Sequence, residues 1–176
     1  MLWSWYHETD HEYMLFMDSD QGFTAETIKQ LFDTAEKQVG PCVVAAPVPL
    51  KEFKEQRVVD YIVGALNEEN SPFSLEGMLP STWDYNFMGD HLVKEAETNI
   101  VQVERVGTGC MLIKRNVIDK IIGRHLEGEE TGCTTYKSKV SDQEAYSMFT
   151  HLFMGEKILG EDYSFCIRML LNEIPV

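Results

Sequence analysis

Short apolar runs and polar segments alternate along the first third of the chain. The run Tyr13-Met-Leu-Phe-Met17 has the length and character of a buried parallel strand, and it stops at Asp18-Ser-Asp-Gln-Gly22. Thr24 is placed to cap a helix that ends at Gly40-Pro41, and a second apolar run follows at Cys42–Ala46. The apolar positions of this helix recur at helical spacing: Ile28, Leu31, Phe32 and Ala35. Strand, helix and strand in so few residues predict a right-handed parallel crossover and an α/β fold.

The rest of the chain continues the alternation of helical and extended patterns. Three further helices are predicted: Lys51–Leu66, one capped by Asn116, and one opened by Gly160-Glu161-Asp162. The last of these is expected to turn four side chains inward: Phe165, Cys166, Met169 and Leu170. Extended patterns occupy Asn99–Val106 and Cys110–Ile113, whereas Asn67–Ser81 and Glu127–Asp142 are predicted to be loops, the second of them mobile.

Length and charge limit the classes of function. A chain of 176 residues with 44% hydrophobic residues predicts one globular domain. The net charge of −14 repels phosphate backbones and anionic lipid, so nucleic-acid binding is not expected. No apolar run has the roughly 18 residues of a membrane span, and the start does not resemble a signal peptide, so a cytoplasmic protein is predicted. The four cysteines form no Cys-x-x-Cys pair, and the three that lie in apolar runs are expected to be buried thiols.

The first candidate site is Asp18-Ser-Asp20. Two carboxylates just beyond the end of a buried strand are suited to binding one hard divalent cation, where open sheets hold their ligands. Such a cation would neutralise a diphosphate that this acidic protein would otherwise repel. An Asp-x-Asp pair in a loop also caps helices and turns the chain, and the pattern alone leaves that structural alternative open.

Three other segments carry candidate functional groups. Glu161-Asp162 offers a carboxylate base or, equally, the acidic first turn of a helix. Gly107-Thr-Gly109 allows backbone to approach a ligand, although glycines beside a strand more often mark a turn or bulge. Trp83-Asp-Tyr-Asn-Phe87 is suited to stacking against a sugar through Trp83, with Asp84 as a hydrogen-bonding partner, and it also has the alternation of a half-buried strand.

Three segments, taken in order, resemble GT-A-fold glycosyltransferases: Tyr13–Phe23, Val106-Gly-Thr-Gly-Cys-Met-Leu-Ile-Lys-Arg115 and Leu159-Gly-Glu-Asp-Tyr-Ser-Phe-Cys-Ile-Arg168. The likeness is to short bacterial, phage and large-virus members related to family-2 and mannan-polymerase-type enzymes. It implies a Rossmann-like mixed sheet flanked by helices. In this family the first strand precedes the D-x-D motif by many residues, so a domain incomplete at both ends is expected.

The resemblance also implies roles for particular residues. Asp18 and Asp20 correspond to the family's D-x-D, with Asp20 the direct ligand of Mn²⁺ or Mg²⁺ and Asp18 nearer the ribose or sugar of a nucleotide-sugar donor. Asp162, with Glu161 as second choice, corresponds to the carboxylate that faces the acceptor hydroxyl. Gly107, Thr108 and Gly109 match the strand beside the acceptor, a glycan or glycoconjugate.

Two alternatives to a transferase remain open. A haloacid-dehalogenase-type phosphatase also has an Asp-x-Asp after a buried strand and needs a later lysine, for which Lys114 is the candidate. A non-catalytic remnant that binds carbohydrate or a protein partner is the other, because the segments flanking the domain are missing. The sugar, the nucleotide base and the acceptor are not encoded in a recognisable motif.

Overall fold

A computed structural model describes residue 6 and residues 8–67, 83–88, 93–94, 100–137 and 144–176. Within these ranges the protein is mixed α/β, with four helices and several small antiparallel sheets. It divides into two compact units, residues 1–46 with 87–176 and residues 47–86, and each unit is described by itself. No helix in the described ranges is long and apolar enough to cross a membrane.

The elements are numbered in chain order. The helices are α1 (Ala25–Lys37), α2 (Glu55–Asn67), α3 (Arg115–Leu126) and α4 (Glu161–Leu171). The strands are β1 (Tyr13–Met17), β2 (Val43–Ala45), β3 (Pro49–Phe53), β4 (Trp83–Tyr85), β5 (Phe87–Met88), β6 (Val93–Lys94), β7 (Val101–Gln102), β8 (Arg105–Val106), β9 (Cys110–Lys114), β10 (Thr135–Lys137), β11 (Glu144–Tyr146), β12 (Phe153–Met154) and β13 (Lys157–Ile158).

A three-stranded sheet of order β1-β9-β2 organises the first unit. Strand β9 pairs antiparallel with both neighbours, so β1 and β2 run parallel to each other, as the predicted crossover requires, but a later strand separates them. The apolar run Cys110–Ile113 is fully buried because β9 is the central strand. Strand β1 is an edge of this sheet and only half-buried, so the prediction of a buried parallel strand is correct in its position but wrong in its burial.

The predicted first helix is confirmed as α1. The Thr24 hydroxyl caps it by accepting the Thr27 N–H at 3.1 Å. Leu31 and Ala35 are its buried residues, because they lie on the face that the helical spacing selected. The helix ends at Lys37, three residues before the predicted Gly40-Pro41 stop.

Four predictions of local structure need correction. Lys51–Phe53 belong to β3, so the second helix begins at Glu55. Helix α3 has Lys114 as its N-cap, without a side-chain hydrogen bond, and Asn116 lies inside the helix. The predicted mobile loop Glu127–Asp142 contains buried Thr131 and Cys133 and strand β10, while residues 138–143 lie outside the described residues.

The fourth correction concerns α4, in which Leu170 is exposed and Arg168 is buried. Helix α4 and strand β9 contribute to the hydrophobic core of the first unit, and Phe165, Cys166 and Met169 face it as predicted. All four cysteines are buried free thiols, which confirms the prediction for the three in apolar runs and extends it to the fourth. The core consists of Val43, Val106, Met111, Ile113, Val117, Ile118, Ile121, Cys133, Met148, Phe165, Cys166, Met169 and Ile174.

The second unit contains β3, α2 and β4. Strands β3 and β4 pair antiparallel between Pro49 and Tyr85 and between Phe53 and Trp83, with a register irregularity between these two pairs. The extended alternative for the Trp83–Phe87 segment is therefore confirmed for β4. The predicted loop Asn67–Ser81 lies outside the described residues from residue 68 onward, and Asn67 itself ends α2.

Candidate functional site

The Asp18-Ser-Asp20 motif follows β1 directly, as predicted. Asp18 and Asp20 are both exposed. The Asp18 N–H donates to the carbonyl oxygen of Gly109 at 2.9 Å, which continues the β1–β9 ladder by one bond past the Met17–Cys110 pair. The Gln21 N–H donates to the Asp18 carbonyl at 3.3 Å, so the chain turns away from the sheet at this position. The two carboxylates thus follow the carboxyl end of an ordered strand.

The Gly107-Thr-Gly109 segment connects β8 to β9 through a tight turn, which confirms the structural alternative for these glycines. Gly107 and Gly109 are buried and Thr108 is half-buried. The preceding residue, Val106, is tied to α4 because its carbonyl accepts the Cys166 S–H at 3.4 Å. The turn is therefore attached to β1 on one side and to α4 on the other.

Asp162 lies in the first turn of α4 and contacts this glycine turn. Its Oδ1 accepts the Thr108 hydroxyl at 2.8 Å, and its Oδ2 accepts the Thr108 backbone N–H at 3.2 Å. A carboxylate at a helix N-terminus also interacts favourably with the helix dipole. The two hydrogen bonds from Thr108 hold the Asp162 side chain in one orientation.

Glu161, the second-choice base, has a different environment from Asp162. Its side chain is 59% exposed, and its Oε2 lies 3.7 Å from Nε2 of His151. An exposed pair at this distance contributes little stability, and the imidazole is charged only when it is protonated. The two adjacent carboxylates of the E-D pair are therefore unequal, since only Asp162 receives hydrogen bonds from the Thr108 turn.

A row of three aromatic rings packs behind these groups. The Phe16 ring on β1 lies 5.5 Å from Phe149, which stacks on Phe165 of α4 with ring centroids 4.3 Å apart. Phe16 precedes Asp18 by two residues, and Phe165 follows Asp162 by three. Stacked aromatic rings hold their neighbours at fixed separations, so this row fixes the end of β1 relative to the start of α4.

The remaining predicted acceptor residues lie in the second unit. The Asp84 carboxylate pairs with Nη2 of Arg57 at 2.6 Å and with Nζ of Lys54 at 3.6 Å. The backbone of Trp83 lies in β4, and its proposed stacking with a sugar stays a prediction. Asp84 therefore has two cationic partners in its own unit, and its role in binding an acceptor is likewise untested.

The described residues contain no cluster of three or more His, Cys, Asp or Glu side chains that could hold a metal ion. Asp18 and Asp20 remain two exposed carboxylates, which is the number of protein ligands that Mg²⁺ commonly uses beside substrate phosphates. The pair thus fits a cation that shares its coordination with a bound diphosphate. It does not provide a closed all-protein metal site.

Sequence reasoning missed the contact between Thr108 and Asp162. The two residues are 54 positions apart, and no spacing rule connects a turn residue with a carboxylate at that separation.

Comparison of the chain with protein-family models, with curated proteins and with solved structures found no match in any of the three. The candidate site is therefore argued from its own residues and contacts.

Proposed function

We propose that this chain is a metal-dependent glycosyltransferase of the GT-A type, which moves a sugar from a nucleotide-sugar donor to an acceptor hydroxyl on a glycan or glycoconjugate. One observation carries the proposal: the Gly107–Gly109 turn is bonded both to Asp18 and to Asp162. These three segments are the ones that the resemblance relates to the donor, the acceptor strand and the base. Their connection in one network supports a common site.

The donor would bind where Asp18 and Asp20 follow β1. Both residues offer hard oxygen ligands, which suit Mn²⁺ or Mg²⁺, and the remaining coordination positions suit phosphate oxygens. When bound, the cation supplies Lewis-acid stabilisation of the departing nucleoside diphosphate. The bound cation would offset the repulsion between the donor's diphosphate and a protein of net charge −14.

The acceptor hydroxyl would lose its proton to Asp162. This carboxylate is half-buried and is held by Thr108, so its orientation is established before an acceptor arrives. Glu161, beside His151, is the alternative proton acceptor at the same helix terminus.

The test separates donor binding from chemistry. Calorimetric titration of uridine and guanosine diphosphates, with and without Mn²⁺, should give metal-dependent binding to the wild-type chain that is lost in Asp20→Ala. Asp162→Asn should keep this binding and lose transfer from the corresponding nucleotide sugars. Asp33→Ala is a matched control, because Asp33 is an exposed carboxylate on α1 that pairs with Lys29 away from β1.

The competing functions give different results in the same assays. Metal-dependent nucleotide binding in a folded protein that neither transfers sugar nor hydrolyses the donor would favour the non-catalytic remnant. Hydrolysis of a generic phosphate ester that is lost in Asp18→Asn would favour the phosphatase. Equal loss of folding in Asp20→Ala and Asp162→Asn would show that both carboxylates are structural, and it would refute the proposal.

The position of Lys114 argues against the phosphatase. Lys114 pairs with Tyr13 at the start of β1, whereas Asp18 follows the other end of that strand. At about 3.4 Å per residue the five-residue separation between Tyr13 and Asp18 amounts to about 17 Å. The Lys114 ammonium donates instead to the Gln38 carbonyl at 3.2 Å. This lysine is therefore too far from Asp18 to assist a nucleophile there.

A further inference from the structure

We propose that Thr108 is the positioning residue of the Asp162 carboxylate, an inference that rests on the proposed transferase function and deepens it. Thr108 bonds both carboxylate oxygens of Asp162, through its hydroxyl at 2.8 Å and its backbone N–H at 3.2 Å. Two bonds from one residue to two oxygens fix the rotation of the carboxyl group as well as its position. A single bond would leave that rotation free.

The backbone around Thr108 is held firmly enough to serve this purpose. Gly109 accepts the Asp18 N–H, and Val106 accepts the Cys166 S–H, so both sides of the turn are attached to neighbouring elements. Gly107 and Gly109 are buried, which leaves the half-buried Thr108 side chain between two packed residues. Displacing Thr108 would therefore require displacing β9 or α4.

The contact between Asp162 and Thr108 differs from the contacts that an acidic residue in the first turn of a helix ordinarily makes. Such a residue typically bonds the free amides of its own helix. Asp162 instead receives two bonds from a residue 54 positions earlier, on the turn that also meets the end of β1. The partner segment is thus the one that the proposed function places beside the acceptor, which gives the contact a role in orientation and not only in helix capping.

Other titratable and charged groups near Asp162 come from α4 and from β8. On α4 these are Glu161, Tyr163 and Cys166, and Asp162 raises the pKa of both Tyr163 and Cys166 in addition to the larger effect of burial. From β8, the Arg105 guanidinium lies over the Tyr163 ring at 5.6 Å. These groups are unchanged in a Thr108 variant, so they provide a constant background for the test.

The test compares Thr108→Val with Thr108→Ser. Valine keeps the branched shape and the backbone N–H but removes the hydroxyl donor, whereas serine keeps the hydroxyl. Thr134→Val is the matched control, because it removes a hydroxyl partner 2.9 Å from Ser147 Oγ, outside the proposed site. The first measurement is the rotamer population of the Asp162 side chain, obtained by NMR from the scalar couplings of its Cβ protons and assigned by the loss of these signals in Asp162→Asn. The second is kcat and KM for transfer.

In Thr108→Val the Asp162 side chain should change from one rotamer to several, since the hydroxyl hydrogen bond to its Oδ1 is lost. We expect kcat to fall about 10-fold or more, with the donor KM unchanged. Thr108→Ser and Thr134→Val should both match the wild type. The NMR measurements are made without donor or metal, so their result does not depend on activity.

Each outcome decides one of the two proposals. Unchanged rotamer populations of Asp162 in Thr108→Val would overturn the positioning inference, whether or not the protein transfers sugar. Altered populations together with an unchanged kcat would also overturn it, because the positioned group would then not take part in the reaction. A wild-type protein that binds nucleotide without transfer would refute the proposed function, while the NMR measurement still decides whether Thr108 holds the carboxylate.

Discussion

Arg168 provides the most direct test of what holds the first unit together. Its side chain is 1% exposed, and its guanidinium donates to the carbonyls of Gly132, Met148 and Thr150 at 2.9–3.0 Å and to the Thr150 hydroxyl at 2.8 Å. These partners are neutral, and burial lowers the pKa of the guanidinium. Arg168 thus joins α4 to the predicted loop Glu127–Asp142, through Gly132, and to residues 148–150.

The cost of Arg168→Met can be worked out from these bonds. The buried Met148 carbonyl would lose its donor at a cost of about 1–3 kcal/mol, and the two part-buried carbonyls would cost about 1 kcal/mol each. Removing a desolvated charge offsets part of this loss. We therefore expect the free energy of unfolding to fall by about 2–4 kcal/mol, which for a chain of this size lowers Tm by about 4–16 °C.

Chemical unfolding followed by far-UV circular dichroism measures this loss, and hydrogen exchange of α4 and of residues 144–150 locates it. Arg124→Met is the matched control, because Arg124 is partly exposed and pairs with Glu129, so its loss should cost less than about 1 kcal/mol. Arg168→Met within about 1 kcal/mol of the wild type, or a loss equal to that of Arg124→Met, would refute the reasoning.

Two further predictions concern titrating groups. Burial raises the pKa of all four cysteine thiols, that of Cys166 to about 11. A disulfide reagent at about pH 8 should therefore modify these thiols only after unfolding. Rapid reaction of any thiol in the native protein would contradict this prediction. Burial and the hydrogen bond to Glu36 raise the pKa of Tyr13 to about 12. A tyrosine in an unfolded chain titrates at about pH 10, so the contribution of Tyr13 to the free energy of unfolding is complete below about pH 10 and is lost as the pH rises toward 12. Tyr13→Phe should therefore flatten the decline of the free energy of unfolding over this pH range. Equal slopes in the two proteins would contradict this prediction.

Local patterns predicted the elements that depend on local interactions. Strand β1 has the predicted bounds, α1 begins after its Thr24 cap, and α4 begins at Glu161 after Gly160. Each of these boundaries is determined by residues close to it in the sequence. The burial of β1 was not predictable in the same way, because it depends on a strand almost 100 residues later that lies between β1 and β2.

The sequence could not predict which polar residues would be buried. Arg168 reads as the charged face of α4, yet it is buried because segments from residues 132 and 148–150 supply backbone carbonyls to it. The segment Glu127–Asp142 likewise has the polar composition of a surface loop. Thr131 within it is buried because its hydrogen-bond partners come together only in the folded chain. Polar residues satisfied by distant backbone leave no periodic signal.

The choice between Asp162 and Glu161 illustrates how the structure adds to the motif. Proton transfer requires a carboxylate that is both basic and held within hydrogen-bond distance of the acceptor hydroxyl. Glu161 is the more exposed and the less constrained of the two, so ordering it would cost side-chain entropy at each encounter. Asp162 is already ordered by Thr108. For the proposed transferase the geometry therefore favours Asp162 as the proton acceptor, because a base that is already oriented needs no further ordering before the proton moves.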